Sequence, residues 1–324
     1  MQSTPTGVPG TESWFRFHAL TAQDRSAMAA LRTMAEPNKG KLRGAAARAP
    51  FDALMSGIKA PQGVKFREDR IGGIPGWWCE PTDALPGAAI LHLHGGWFNV
   101  GSAAAYRHLV GHIARRSGAT AFIPDYRLAP EHPFPAAIDD ARAALYGIAE
   151  QGIHRIAVTG DSAGGNLALS LLSIVAGAPA TAVAPVGAVV LSPITDLALT
   201  GSSWQSRADA DPYFVREQAE GLIQAYLHVH DPKDPVASPL YGNFVGLPPI
   251  RVQAGNDEVL LDDSIRFVER AVAAGIDARL DVWEGMPHGF VGGIGQTHAA
   301  ATALSAIGEF LSSRLAPVST RGMR

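Results

Sequence analysis

Short apolar runs that favour β-strand recur along this chain at nearly regular intervals, and this recurrence constrains the fold more than any other feature. The runs are counted from Ile90, Ala121, Ile156, Val189, Ile250 and Asp281. Their separations are 31, 35, 33, 61 and 31 residues. An interval of about thirty residues is what a strand, a crossover helix and a parallel return strand require. We therefore expect an α/β fold with a mostly parallel sheet covered by helices on both faces.

Helical periodicity fills the intervals between these runs. The pattern predicts helices near 104–117, 137–150, 164–177, 261–275 and 298–314. Ahead of the first run, residues 64–71 and 74–80 alternate as two strands of an antiparallel hairpin, with Gly72 and Gly73 in its turn.

Two regions interrupt the alternation of strands and helices. The 61-residue interval holds residues 198–246, and residues 1–60 carry helical periodicity without a buried strand run. Insertions at strand ends commonly form lids over a site. We expect 1–60 and 198–246 to form a helical cap, and 61–197 with 247–324 to form the main α/β domain.

Composition excludes several classes of protein. Among 324 residues, 27 Lys and Arg face 30 Asp and Glu, so the net charge of −3 predicts no nucleic-acid partner. One cysteine, Cys79, excludes an internal disulfide framework. The uncharged stretch between Asp161 and Asp196 is broken by polar residues, glycine and proline, which predicts no membrane span. With no signal-peptide pattern in residues 1–10, we expect a soluble, cytoplasmic protein.

The strongest chemical signal is the segment Gly160-Asp161-Ser162-Ala163-Gly164-Gly165, which follows a strand run and opens an apolar helix. A G-x-S-x-G segment in this context is a nucleophile elbow, a tight turn that exposes the serine hydroxyl above the sheet. Only small side chains fit two residues before and after the serine, which accounts for Gly160 and Gly164. Ser162 is therefore the predicted nucleophile.

A serine nucleophile needs a histidine base and a carboxylate that orients it. In enzymes with such an elbow the chain order is serine, acid, histidine. The histidines downstream of Ser162 are His228, His230, His288 and His298. His288 alone lies in a loop directly after a core strand run. The strand run before that one, which begins at Ile250, is followed by Asp257 and Glu258. The residue pattern does not decide which of these two is the acid.

A glycine pair directly after the first core run predicts an oxyanion-binding loop. The backbone amides of Gly95, Gly96 and Trp97, with that of Ala163, are the candidate donors to a tetrahedral oxyanion. A rival metal site would use His92, His94, His108 and His112. No accompanying carboxylate or cysteine pattern supports it, so we expect neither metal nor cofactor.

These motifs together resemble those of the bacterial hormone-sensitive-lipase-like esterases, a branch of the α/β-hydrolase superfamily. The resemblance runs from about residue 63 to residue 315. It rests on 91–97, which is similar to the His-Gly-Gly-Gly motif, on 125–137, on the elbow 160–165, on Ser192-Pro193 with Asp196, and on 285–290. It implies an α/β-hydrolase fold with a helical cap.

The resemblance also favours one acid. The family's Asp-x-Leu-x-Asp motif falls on residues 258–262 with glutamate in the acid's place, and Glu258 lies the usual 30 residues before His288. It implies Glu258 as the orienting carboxylate, with Asp257 as the alternative. Trp97 stands where the family has a third glycine, and a positive φ there would strain it. The proline-rich segment 125–137 predicts a rigid loop in which an Arg127–carboxylate pair supports the oxyanion loop.

The implied function is that of a serine carboxylesterase. It would cleave short- to medium-chain acyl esters of small molecules through an acyl-enzyme, without a cofactor. Alternatives with the same residues are a lactone or amide hydrolase and an acyl transferase. A non-catalytic ligand-binding receptor is the alternative from another class, because fold does not guarantee chemistry. Dimerisation is common among such esterases, so a homodimer is possible.

Overall fold

One sheet forms the centre of the fold. The computed structural model describes residues 14–41, 43–178 and 183–317. Its strands are β1 (Phe15–His18), β2 (Val64–Ile71), β3 (Ile74–Pro81), β4 (Ala88–Leu93), β5 (Thr120–Pro124), β6 (Arg155–Asp161), β7 (Gly187–Leu191), β8 (Ile250–Gly255) and β9 (Ala278–Trp283). They are ordered β1-β9-β8-β7-β6-β4-β5-β3-β2.

The strand directions confirm the predicted mostly parallel sheet. β2 pairs antiparallel with β3, and β3 pairs antiparallel with β5. The pairs from β5 through β4, β6, β7, β8 and β9 to β1 are parallel. The carboxyl ends of β6, β8 and β9 therefore meet at one edge of the sheet, where loops can converge. The predicted hairpin of 64–71 and 74–80 is confirmed as β2 and β3.

Helices cover both faces of the sheet. They are α1 (Ala22–Ala35), α2 (Arg48–Ser56), α3 (Ala103–Ser117), α4 (Ala136–Glu150), α5 (Ala163–Ala176), α6 (Ser203–Ser206), α7 (Arg216–Leu227), α8 (Leu261–Ala273) and α9 (His298–Leu315). Buried side chains of α4, α5 and α8 join one hydrophobic cluster, and those of α3 and α9 join a second. The predicted helices lie within two residues of α3, α4, α5, α8 and α9 at each end.

Local sequence sets the bounds of α3. The hydroxyl of Ser102 accepts a hydrogen bond from the Ala105 amide at 3.2 Å, which caps the first turn. Gly118 ends the helix in the left-handed conformation at φ = 66°. Placed in this way, α3 directs Tyr106 toward the end of β6, where it becomes part of the site described below.

β1 is a strand within residues 1–60, where the sequence shows helical periodicity and no buried strand run. Phe15–His18 pairs parallel with β9 at the edge of the sheet, with Phe15 opposite Leu280. The strand is four residues long and its side chains are mostly exposed, with Phe17 51% accessible. A short edge strand carries no continuous apolar run, so its sequence does not differ from that of a loop.

Apart from β1, the two regions predicted to form the cap, 1–60 and 198–246, contain the helices α1, α2, α6 and α7. Helix α7 packs tightly on the main domain, because Tyr226 stacks on Phe98 with ring centroids 3.8 Å apart and planes 7° apart. The division of the chain into cap and main domain stays a prediction. None of the helices in the described part of the chain has both the length and the apolar character needed to span a bilayer.

Candidate active site

Ser162 occupies a strained turn between β6 and α5. Its backbone has φ = 54° and ψ = −118°, a combination that non-glycine residues rarely adopt. The amide of Ser162 donates to the carbonyl of Leu191 at 2.8 Å, and its carbonyl accepts from Asn166 and Ile194. These backbone hydrogen bonds hold the residue in place at the amino end of α5.

The two glycines around Ser162 are required by close backbone approach. A Cβ on Gly164 would lie 1.9 Å from the carbonyl oxygen of Leu93, and one on Gly160 would lie 2.3 Å from the carbonyl oxygen of Gly164. Neither contact is sterically possible without displacement of the main chain. The turn therefore has the packing expected of a nucleophile elbow.

Glu258 and His288 form a buried pair on the loops after β8 and β9. Glu258 Oε2 lies 3.0 Å from His288 Nδ1, with Glu258 fully buried and the His288 side chain 11% exposed. Burial raises the pKa of Glu258, opposed by its hydrogen bond to His288. Burial alone would lower the pKa of His288, but the hydrogen bond and charge of Glu258 outweigh it and the pKa is raised.

The alternative acid has a different partner. Asp257 Oδ2 lies 2.5 Å from a guanidinium nitrogen of Arg32 in α1, and the two side chains are 21% and 33% exposed. Asp257 therefore joins α1 to the loop after β8, while the next residue contacts the imidazole.

Among the described residues, Ser162 Oγ forms no hydrogen bond, to His288 or to any other group. Catalytic hydrogen bonds are often long in the free enzyme and tighten when substrate binds. Asp161, which precedes Ser162 in the elbow, contributes through its negative charge to the raised pKa of His288. The side chain of Ser162 is 5% exposed.

Asp161 holds the loop after β4. The amide of Gly95 donates to Asp161 Oδ1 at 2.9 Å, and the hydroxyl of Tyr106 donates to Oδ2 at 3.0 Å. Nε2 of His92 lies 3.5 Å from Oδ1. The sequence predicts the Gly95 amide as a donor to the oxyanion. In the structure this amide already donates to Asp161 and is not available to an oxyanion. The amides of Gly96, Trp97 and Ala163 have no acceptor within the described part of the chain.

The proline-rich segment supports this loop through residues other than Arg127. Arg127 forms the predicted ion pair, with Asp140 of α4 at 2.7 Å. That pair braces the segment itself. Contact with the oxyanion loop comes from the Tyr126 hydroxyl, which donates to the carbonyl of His94 at 2.7 Å, and from Ala129, whose amide donates to the carbonyl of Phe98 at 2.9 Å.

Trp97 has the positive φ that would strain a residue other than glycine. Its φ is 55°, followed by 60° at Phe98. The indole is 2% exposed and contacts two aromatic rings of the 198–246 region. Phe214 lies edge-on to it at 5.2 Å, and Trp204 lies tilted at 6.5 Å. Packing of this large side chain offsets the backbone strain, which is of order 1–3 kcal/mol.

Phe214 and Asp211 also lie at the site, and Asp211 is the residue that the sequence pattern did not reveal. The ring of Phe214 lies edge-on to the His288 imidazole with centroids 4.9 Å apart. Buried Asp211 accepts from the amides of Tyr213 and Phe214 through Oδ1, at 2.7 and 3.0 Å, and from Val259 through Oδ2 at 2.9 Å. The Asp211-Pro212 dipeptide, a turn signal, was the available clue.

The histidines of the rival metal site do not converge on one point. His92 bonds to Thr159 Oγ1, and His94 bonds to the Gly95 carbonyl. His108 and His112 bond to the carbonyls of residues 58 and 59. Across the described ranges, no group of three or more His, Cys, Asp or Glu side chains has the arrangement of a metal site.

Comparison with known proteins finds relatives that are named as ester hydrolases. A family model described as alpha/beta hydrolase fold matches residues 90–292. An esterase of Acinetobacter venetianus is 35% identical over 87% of this chain and 93% of its own. An acetyl-hydrolase of Streptomyces hygroscopicus is 36% identical over 67% of this chain and 73% of its own. The crystal structure of an esterase from the bacterial hormone-sensitive lipase family is 34% identical, with a TM-score of 0.84, and the match covers 92% of this chain and 100% of that one.

Proposed function

This chain belongs to the bacterial hormone-sensitive-lipase-like esterases of the α/β-hydrolase family and is a carboxylic ester hydrolase, and from that premise we propose that it acts through an acyl-enzyme on Ser162. The observation that carries the proposal is the buried contact of 3.0 Å between Glu258 and His288, beside a serine in a strained elbow. An isolated serine hydroxyl is a weak nucleophile at neutral pH, so it needs this base.

Proton transfer follows from the orientation of the imidazole. With Nδ1–H donating to Glu258, the Nε2 lone pair of His288 is free to accept the Ser162 proton. Oγ then bonds to the ester carbonyl carbon, and the carbonyl π electrons move to oxygen. The electron pair on the oxyanion then reforms the carbonyl, and the bond from the carbonyl carbon to the alcohol oxygen breaks. The imidazolium, stabilised by the glutamate charge, gives its proton to that oxygen as it leaves. This leaves the acyl group on Ser162.

We assign the oxyanion to the amides of Gly96, Trp97 and Ala163. Gly95 is omitted because its amide donates to Asp161. The Ala163 amide opens α5, where the positive end of the helix dipole favours negative charge. Removal of one such donor typically costs about 3 kcal/mol in the transition state.

Hydrolysis of the acyl-enzyme uses the same groups in reverse order. His288 takes a proton from water, the hydroxide oxygen attacks the acyl carbonyl, and the proton then passes to Ser162 Oγ as the acid leaves. Short- to medium-chain acyl esters are the proposed substrates. The acetyl-hydrolase name of one relative supports the short end of this range.

A serine substitution with a matched control tests the proposal. Ser162→Ala should reduce hydrolysis of p-nitrophenyl acetate to below about 1% of wild type. Ser170→Ala, which removes a buried hydroxyl from the same helix α5, should leave turnover within about threefold. A fluorophosphonate should add one adduct to wild type, as seen by intact mass, and none to Ser162→Ala. Full turnover by Ser162→Ala would refute the serine mechanism.

A further inference from the structure

We propose that Trp97 limits the acyl group of the substrate, so that this esterase prefers acetyl and propionyl esters to hexanoyl and longer esters. The inference rests on the proposed acyl-enzyme function and narrows its substrate class. Trp97 is where this chain departs from the triple-glycine motif that it otherwise resembles. A large side chain thus stands at a position that normally contributes only backbone.

Covalent geometry brings the indole close to the reacting carbonyl. In the proposed mechanism the Trp97 amide donates to the oxyanion, and the Cβ of a residue is only two bonds from its own amide nitrogen. The side chain must therefore begin within a few ångströms of the acyl carbon. Because the indole is 2% exposed and packed between two other rings, it has little freedom to move away.

The space around the indole is already filled. Trp97 is 2% exposed, and the rings of Phe214 and Trp204 pack against it at centroid distances of 5.2 and 6.5 Å. These two neighbours are themselves 8% and 5% exposed. A long acyl chain would have to displace one of these three rings to enter.

Two hydrogen-bonded anchors make this aromatic wall rigid. Buried Asp211 joins the amide of Phe214 to the amide of Val259, next to Glu258. The hydroxyl of Ser203, beside Trp204, donates to the carbonyl of Val259 at 2.5 Å. Both rings that pack on Trp97 are therefore tied to the loop of the acid, and a wall that does not yield discriminates well by chain length.

The position of His288 assigns the indole of Trp97 to the acyl side. The imidazole must protonate the leaving alcohol, so the alcohol lies beside it. Phe214 contacts the imidazole at 4.9 Å, whereas in the described part of the chain Trp97 makes no ring contact with His288. Trp97 is thus separated from the alcohol side by the ring of Phe214, which leaves the acyl side for the indole.

Two ester series test the proposal. One varies the acyl group from acetyl to octanoyl with p-nitrophenol as the alcohol, and the other varies the alcohol of acetate esters from ethyl to hexyl. Wild type should lose kcat/KM by roughly tenfold or more between acetyl and hexanoyl, because even one methylene is worth about that in a rigid pocket. Trp97→Gly and Trp97→Ala should raise the hexanoyl-to-acetyl ratio by roughly tenfold or more.

Control variants distinguish the effect of a larger acyl pocket from the effect of a generally less rigid structure. Glycine accepts positive φ, so Trp97→Gly leaves no backbone strain. Trp97→Phe keeps an aromatic wall and should keep the acetyl preference. Trp77→Ala truncates a half-buried tryptophan of β3, outside the site, and should leave the chain-length profile unchanged. If the small variants fail to fold by thermal unfolding, Trp97→Leu replaces them in the same comparison.

The outcomes distinguish this inference from the function it rests on. An unchanged acyl profile in folded, phosphonate-reactive Trp97→Gly or Trp97→Ala would overturn the inference while the esterase proposal stands. A shift confined to the alcohol series would also overturn it. Hydrolysis that persists in Ser162→Ala would instead refute the proposed mechanism, whatever the Trp97 variants do.

Discussion

Glu258 Oε2 lies 3.0 Å from Nδ1 of His288, while the carboxylate of the preceding residue, Asp257, lies 2.5 Å from Arg32. Adjacent carboxylates thus have opposite environments, one fully buried against an imidazole and one part-exposed against a guanidinium. A buried carboxylate next to an imidazole can orient it and stabilise its cation. The part-exposed pair contributes mainly to the contact between α1 and the loop after β8.

Separate substitutions of the two carboxylates should therefore give different results. Glu258→Ala should lower kcat for p-nitrophenyl acetate by about 10³- to 10⁴-fold, because the imidazole loses its orientation and the stabilisation of its charge. Asp257→Ala removes a part-exposed ion pair and should change kcat by less than about threefold. Equal losses in the two variants would contradict the assignment of Glu258.

The pH dependence of activity should report the raised pKa of His288. The base must be neutral to accept the serine proton, so kcat/KM should fall as pH drops through this pKa. We expect the midpoint of the acidic limb above the ordinary histidine value of about 6.5. In Glu258→Gln the raising charge is gone and burial dominates, so the limb of the residual activity should move to lower pH. A wild-type midpoint below about 6.5 would contradict the electrostatic argument.

Asp161 should act as a positioning residue for the oxyanion loop. Asparagine offers one acceptor where the carboxylate offers two, so Asp161→Asn loses the hydrogen bond from either Gly95 or Tyr106. Loss of a part-buried hydrogen bond to a charged group costs about 1–3 kcal/mol, so we expect kcat to fall roughly tenfold or more. KM should change less, because the effect is on the amides that contact the oxyanion.

Tyr106→Phe provides the control for this effect. It removes the hydroxyl bond to Asp161 but leaves the bond from the Gly95 amide in place. Its kcat should fall less than that of Asp161→Asn at a comparable melting temperature. A purely structural role would instead lower the melting temperature of Asp161→Asn with kcat unchanged.

Stability should fall with rising pH because of Asp263. Burial, helped by the nearby charge of Asp196 and opposed by the amide of Thr195 and by Arg266, raises the pKa of Asp263 to about 7. The folded-state pKa is above the unfolded one of about 3.9. The stabilisation that the neutral Asp263 carboxyl gives to the folded state is therefore complete below about pH 4 and is lost as pH rises through 7.

Asp263→Asn should remove this pH dependence, because the amide oxygen can still accept from Thr195 and Asp196 as the carboxylate does. Between about pH 5 and about pH 8, wild type should lose at least about 3 °C more in Tm than this variant. Asp262→Asn, at the neighbouring and less buried position, should keep the wild-type slope. Parallel slopes in wild type and Asp263→Asn would exclude Asp263 as the cause.

The sheet and the elbow could be predicted because their signals are local. The interval of strand runs and the glycines around Ser162 are set by contacts between near neighbours in sequence. The residue pattern could not decide between Asp257 and Glu258 as the acid. That choice depends on where one loop places two adjacent residues relative to α1 and β9. The resemblance to a family favoured Glu258, and the contact with His288 agrees with it.

Other features depend on contacts between distant segments. Asp211 acts on the site partly through the backbone amide of Val259, 48 residues away in sequence, a relationship that no residue pattern encodes. The engagement of the Gly95 amide by Asp161 arises across 66 residues. In both cases a carboxylate accepts from main-chain amides of distant segments, and these partners are known only once the fold is known.

The short strand β1 has a consequence for how this enzyme can be immobilised or fused. His18 stacks on Trp283 at 3.8 Å, and the amide of Leu20 donates to the side chain of Glu284 at 2.9 Å, only four residues before His288. Tension applied to the chain near Phe15 would therefore pass to the segment that carries the general base. Attachment to a solid support, or fusion to another protein, should leave residues 14–20 free of load.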